Sequence, residues 1–280
     1  MSARRLGQGD LGRVRALLLS DPIQNVFVSS RVDAGVLWPT SAASLWGFPA
    51  RNPTHLLHVG SNLVPVVPVG QEPDPRALAS FVEALGPRRL AQALCGPAPV
   101  ALELWRLLSL RWGPACSSCR EVRPHQPVMV ADKVRDLPPS PVRPISLPDV
   151  DSYIAASVAM YIEEVGLDPA LDGGASSYRA HCRSLIEGGR AFGIVENGEV
   201  VFKADVGLAS SGVAQIQGVW LTPRLRGRGL AAPAIAEVTR LILRHYGVAA
   251  LYVNDFNIRA VRAYRAVGFR QVSEFATILY

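Results

Sequence analysis

Apolar positions along the 280-residue chain change period several times, and each change predicts an element. Leu11–Leu19 reads as a helix, Leu56–Val59 and Leu63–Val69 as strands across Gly60-Ser61-Asn62, and Arg76–Leu85 and Val100–Leu110 as two more helices. Ala131–Pro144 carries four prolines and no apolar period, which is the pattern of a linker. Beyond it, Val150–Val165 places Ile154, Val158, Tyr161, Ile162 and Val165 on one helical face. Ala191–Glu196 and Val200–Val206 form a hairpin over Asn197-Gly198, the strongest short hairpin signal. Ala214–Leu221 is a third strand, Leu230–Tyr246 a helix, Ala249–Asn254 a strand, Ile258–Val267 a short helix and Phe275–Leu279 a last strand.

The expected organisation is an N-terminal α/β domain over 1–130, a Pro-rich linker over 131–142 and a second domain over 143–280. That division suits the usual size of about 100–200 residues per domain. Hydrophobic residues make up 49% and charged ones 19%, which excludes a disordered or collagen-like chain. Met1–Arg5 leads into no apolar secretory segment and no run suits a membrane helix, so the expected location is cytoplasmic, with no membrane partner. Cys95, Cys116, Cys119 and Cys182 are too few for a disulfide scaffold, and Cys116-Ser-Ser-Cys119 lacks a second ligand pair, so no metal site is expected. The net charge of +6 rests almost wholly on arginine, since Lys133 and Lys203 are the only lysines. No reader motif accompanies it, so nucleic acid is not an expected partner.

One stretch carries chemistry: Thr222-Pro223-Arg224-Leu225-Arg226-Gly227-Arg228-Gly229-Leu230-Ala231. A strand runs out, a loop with two glycines follows, and a helix begins at once. Unpaired N–H groups at such a helix start, with the helix dipole behind them, suit a phosphate. Glycine permits close backbone approach, and Arg226 and Arg228 add charge. Gly227-x-Gly229-x-x-Ala232 also fits a dinucleotide fingerprint, with Asp255 as a possible ribose acid. Thr222–Arg226, however, separate strand from glycine, and too little chain follows Asp255 to complete that sheet. The P-loop pattern is absent.

Arg226-Gly-Arg-Gly-Leu-Ala231 resembles the R-x-x-G-x-G/A acyl-CoA loop of the GNAT superfamily of N-acyltransferases. Asn257-Ile-Arg-Ala260-Val-Arg-Ala-Tyr264-Arg-Ala-Val-Gly268-Phe269 is similar to that family's N-x-x-A-x-x-x-Y-x-x-x-G-F. The resemblance covers about 143–280, and the full chain is similar to actinobacterial GNAT proteins with an extra N-terminal domain. It implies an α/β (α+β) fold: a mixed, mostly antiparallel sheet flanked by helices. A second, smaller α/β domain precedes it and could be a degenerate unit of the same kind.

The implied activity is N-acetyl transfer from acetyl-CoA to an amine by direct attack. The resemblance gives the acyl-CoA contacts to Val219, Leu221, Arg226, Gly227, Arg228, Gly229, Leu230, Ala231 and Asn257. A backbone N–H around Val219–Leu221 would stabilise the oxyanion, and Tyr264 would be the general acid. Tyr264 could instead simply pack its ring. Glu164 is a candidate base or amine anchor, against a plain surface carboxylate, whereas Glu163 points away from the apolar face and reads as solvated. Asp205 is a candidate acceptor-binding acid. Ile145–Asp205 holds ten acids and four bases, while Arg224–Arg270 holds nine arginines and two acids, which suggests a cationic acceptor beside an anionic cofactor. The other functional class consistent with the motif is a non-catalytic acyl-CoA sensor or interaction module.

Overall fold

The computed structural model describes residues 2–87, 91–169, 171 and 174–280. They form two compact units: Met1–Met129 with Tyr252–Asn257 and Gln271–Tyr280, and Val130–Leu251 with Ile258–Arg270.

The first unit begins with β1 (Arg4–Arg5), α1 (Leu11–Leu19) and α2 (Val26–Asp33), followed by β2 (Ser44–Phe48), β3 (His55–Val59) and β4 (Asn62–Val66). It continues through α3 (Pro75–Leu85), β5 (Ala93–Pro97), α4 (Ala98–Trp112), α5 (Pro114–Ser117) and β6 (Glu121–Ala131). β1 to β4 pair antiparallel in sequence, and β4 pairs parallel with β5 only at Asn62↔Ala93 and Leu63↔Leu94. Successive strand residues serve opposite faces. Leu56 and Val64 join Val14, Leu18 and Val28 of α1 and α2, while Leu57 and Leu63 join Leu78, Phe81 and Leu104 of α3 and α4.

The second unit repeats that order. β7 (Arg143–Pro144), α6 (Val150–Val165) and α7 (Ala175–Glu187) lead into β8 (Ala191–Glu196), β9 (Glu199–Ser210) and β10 (Val213–Leu221). α8 (Ala231–Leu243), β11 (Val248–Tyr252) and α9 (Ile258–Val267) follow. Strand order is β7-β8-β9-β10-β11, antiparallel except for the parallel β10–β11 pair, which extends only from Val213↔Val248 to Gln215↔Ala250. α6 and α7 pack Tyr153, Ala156, Cys182, Leu185 and Ile186 onto Ile145, Ala191 and Val200. Residues 132–142 hold no helix or strand, and Arg135 N donates to Val267 O at the end of α9.

Both units enter their first helix through the same device. Arg4 makes a forked pair with Asp10, which also accepts from Gly7 N; Arg143 pairs likewise with Asp149, which accepts from Ser146 N. The bonds to arginine and backbone hold both carboxyls below the usual aspartate range. The fold is thus mixed α/β, with a mostly antiparallel sheet flanked by helices in each unit.

The last strand, β12 (Arg270–Leu279), is longer than the expected Phe275–Leu279. From Gln271 onward it belongs to the first unit, where it pairs antiparallel with β5 from Phe275↔Pro97 to Leu279↔Ala93. Ala276 and Ile278 sit fully buried among Leu94, Ala101 and Leu104. Thr277 Oγ1 donates to Gln126 Oε1 at 2.6 Å, and Gln126 Nε2 donates to Asn254 Oδ1 at 2.8 Å. The helix over Leu230–Tyr246 is shorter than expected, α8 ending at Leu243. In α6 the buried residues are Tyr153, Ala156 and Ser157, whereas Ile162 is exposed. The buried face is rotated from the apolar stripe because the polar atoms of Tyr153 and Ser157 find partners inside.

Truncating Ile278 to Ala removes buried atoms from the first unit's core and is expected to cost about 2–5 kcal/mol. Urea unfolding measures the loss, and amide exchange should place it in β5 and α4, far in sequence from the change.

Candidate functional site

The loop from β10 to α8 is built for exposed backbone. Thr222 N donates to Val201 O, Leu225 N to Thr222 O and Arg226 N to Pro223 O, and Leu225 is buried, so a tight turn anchors the loop's start. Arg226 is extended, after which Gly227 (φ +77°) and Gly229 (φ +75°) are left-handed. A Cβ at either glycine would meet nothing within 4 Å. Backbone conformation therefore requires glycine there, and the space beside both residues is open. Gly227 through Leu230 are exposed, and Ala231 begins α8. The first N–H groups of α8 have no intrahelical acceptor and stand at the positive end of the dipole, which makes an anion site. Pro233, in the first helical turn, lacks an N–H where none could be bonded anyway.

Arg226 does not present a free charge. Its Nε donates to Leu221 O at 2.9 Å, and its two terminal nitrogens hold the Glu163 carboxylate at 2.6 and 2.7 Å. Trp220 Nε1 also donates to Glu163, at 3.2 Å. Glu163, expected as a solvated acid, instead ties the end of α6 to the loop. The Arg226 bonds hold its carboxyl below the usual glutamate range and raise the guanidinium in turn. Arg228 is exposed.

Just before the loop, β10 carries an extra residue relative to β9. Gln217 pairs with Asp205 and Trp220 with Lys203, so Gly218 and Val219 share one place on the partner strand as a bulge. Gly218 has φ +61°. Beyond Gln215 the other side of β10 has parted from β11. The bulge and the half-buried Val219 and Leu221 thus lie where the parallel pair has opened.

Asp205 is placed differently from expectation. It is buried, with Oδ2 accepting from Lys203 Nζ at 2.8 Å and Oδ1 from the Tyr153 hydroxyl, so it has no open face for an acceptor. Lys203 Nζ donates further to Gly218 O at 3.1 Å. The acidic excess of Ile145–Asp205 is also largely paired: Asp149, Asp151, Glu163, Glu187, Glu196, Glu199 and Asp205 all form ion pairs. The charge balance is consequently no argument for a cationic acceptor.

Tyr264 on α9 is buried, its ring edge-on to Phe269 at 5.8 Å. Burial, and secondarily the Glu164 carboxylate, push its hydroxyl above the ordinary tyrosine value, so it keeps its proton through the neutral range. The two residues expected to be catalytic are therefore electrostatic neighbours, with Glu164 exposed at the end of α6. Asn257, in the first unit, is exposed immediately before α9 and donates from its N–H to Asn254 O. Among the described residues, no group of three His, Cys, Asp or Glu is arranged to hold a metal, and no helix is long and apolar enough to cross a membrane.

Residues 160–269 match the Acetyltransferase (GNAT) family, and residues 43–153 match a domain of unknown function, DUF4081. No curated protein matches the chain. Solved structures share its fold over nearly its whole length. A GNAT-family acetyltransferase from Colwellia psychrerythraea superposes with a TM-score of 0.61 at 12% identity, covering 100% of both chains. A GCN5-related N-acetyltransferase from Sphaerobacter thermophilus gives 0.62 at 18% identity, covering 99% of this chain and 94% of its own. A tandem GNAT protein from the clavulanic acid biosynthesis pathway gives 0.57 at 14% identity, covering 99% and 97%.

The Glu163–Arg226 pair has a defined pH window. A carboxyl held low in the folded state contributes above its unfolded value, about 4.3, and that contribution fades as pH falls through the folded value. Amide exchange of Leu225 and Arg226, whose N–H groups are bonded inside the loop's opening turn, should stay level from pH 8 to 5 once corrected for intrinsic rates and rise below about pH 4. Glu163→Gln should abolish that acid step.

Proposed function

With residues 160–269 forming a GNAT acetyltransferase domain, we propose that this protein is an N-acetyltransferase that moves the acetyl group of acetyl-CoA to an amine of a small molecule or peptide. The observation that carries the reading is the left-handed glycine loop opening α8 directly after a bulged strand that has parted from its parallel neighbour. A pyrophosphate would rest on the N–H groups of Gly227–Ala231. Arg226, tied to Leu221 O and Glu163, would hold the loop's shape rather than grip the phosphate. Leu221 would line part of the cofactor's path.

The amine nitrogen, after losing a proton, would attack the thioester carbonyl carbon. A C–N bond forms, the C–S bond breaks, and the Val219 N–H faces the transient oxyanion. Tyr264 would give its proton to the departing thiolate and regain one from the nitrogen of the new amide. Glu164, beside it and exposed, would accept the amine's proton or anchor the amine. Much of the rate would come from alignment of the two substrates. A cytoplasmic place of action fits four free cysteines.

The first unit would bind no second acyl-CoA. Its counterpart of the glycine loop is 67–74, and there Asp74 accepts from Arg76 N and fills the start of α3 with the chain's own carboxylate. Glu72 adds a second negative charge.

Titration calorimetry should find one CoA per chain, with Gly229→Glu abolishing binding through bulk, charge and a strained left-handed residue. Tyr264→Phe should keep CoA affinity and lower kcat about 10²–10⁴-fold in a CoA-release assay with an amine panel. Tight CoA binding without turnover of any amine would favour a sensor, and two CoA per chain would defeat the assignment of the first unit.

A further inference from the structure

The second unit buries an ion pair directly beneath the bulge, and the acyl-transfer chemistry outlined above leaves it without a role. The side chain of Lys203 is 1% exposed and that of Asp205 is 6% exposed. The ammonium donates to Asp205 Oδ2 and to Gly218 O, lies 3.8 Å from Met160 Sδ, and stands 5.1 Å from the centroid of the Tyr153 ring. Tyr153 is fully buried and donates its hydroxyl to the other oxygen of Asp205. Desolvating two charges is costly, and well-packed apolar side chains of the same volume would often serve stability as well. The pair's distinguishing feature is its third partner, a backbone carbonyl inside the bulge. Gly218 rests against the charges so closely that a Cβ there would fall 2.5 Å from Asp205 Oδ2 and 2.9 Å from Lys203 Nζ.

A trans peptide is planar, with its C=O and N–H pointing in opposite directions. Because the Gly218 carbonyl is turned onto Lys203, the N–H of the same peptide, which belongs to Val219, is turned away from it. On that side β10 has no pairing with β11 at this level. A cation on the carbonyl oxygen also polarises the peptide and strengthens its N–H as a donor.

Resting on the acyltransferase reading, we propose that Lys203, held in place by Asp205 and Tyr153, is a positioning residue: its grip on Gly218 O aims the Val219 N–H at the thioester carbonyl. Asp205 and Tyr153 act through Lys203 and touch no substrate.

The test is infrared difference spectroscopy of acetyl-CoA carrying a 13C-labelled thioester carbonyl, bound to the full chain, alongside calorimetry and steady-state kinetics. The wild type should bind acetyl-CoA and lower the carbonyl stretch relative to the free thioester. Lys203→Met with Asp205→Leu removes both charges together and leaves neither unpaired. It should keep the CoA dissociation constant within about threefold, lose most of the carbonyl shift and lower kcat about 10–100-fold, the scale of a misaimed donor. The milder Tyr153→Phe, which retains the ion pair, should lose part of the shift and lower kcat about 3–10-fold, scaled down from the same donor effect; it serves if the double variant does not fold. A purely structural pair would change the melting temperature and leave the bound carbonyl stretch where it was. An undiminished shift in a folded variant overturns this inference alone. A wild type that binds no acetyl-CoA overturns the acyltransferase reading, and this inference with it.

Discussion

Two parallel strands cannot be joined by a tight turn; the chain must cross over, and here it does so through a helix. In the first unit α3 joins β4 to β5, and in the second α8 joins β10 to β11. Each crossover helix therefore starts at the C-terminal end of a strand, and each parallel pair holds for only two or three residues before parting. A helix start beside an opening in the sheet follows from connectivity alone. The residues of the loop then differ: in the second unit two left-handed glycines open onto the helix start, and in the first Asp74 accepts the N–H of Arg76.

Charge in this protein works mainly at short range. A net charge of +6 suggests a broad basic field, yet Arg226 is neutralised by Glu163, and one of the two lysines lies in the core beneath a strand bulge. Most acids between Ile145 and Asp205 form pairs that fix helices and loops in place. Arg4–Asp10 and Arg143–Asp149 perform one task in both units, stapling a two-residue strand to the turn before the first helix. Opposite charges six residues apart at two places in the chain are hinge pins of a duplicated scaffold rather than features of a binding surface.

Much of the second unit was legible in advance because its pattern is local. Asn197-Gly198 dictates a hairpin, and the Val150–Val165 and Ile258–Val267 helices end where apolar spacing ends. The glycine loop was legible for the same reason, since two glycines at a helix start have few other uses. What escaped depends on partners distant in sequence. β6 carries Pro124 and Pro127 and does not look like a strand until Thr277 of β12 bonds Gln126. α7 is mostly polar, and its buried residues are only Cys182, Leu185 and Ile186, helped by Tyr178 against Tyr161 and Ser157. The buried ion pair left a faint mark: Lys203 and Asp205 alternate in an apolar strand, and an isolated glycine, Gly218, interrupts the next one. The likeness of the two units was recoverable only from Arg-x-x-x-x-x-Asp before each first helix, a signal too sparse to find without the fold.

The return of β12 to the first unit has a consequence for how the protein is made. The sheet begun by residues 1–129 is finished by residues 271–280, so the ribosome must synthesise the whole second unit before the first can close its core. At ordinary translation rates of 5–20 residues per second that delay is roughly 7 to 30 seconds. Throughout it, β5 leaves an unpaired strand edge open to any other strand nearby. Folding of the first unit ahead of the second, the usual advantage of a two-unit chain, is closed to this one: a ribosome that stalls before residue 271 leaves residues 1–129 fully translated and still incomplete.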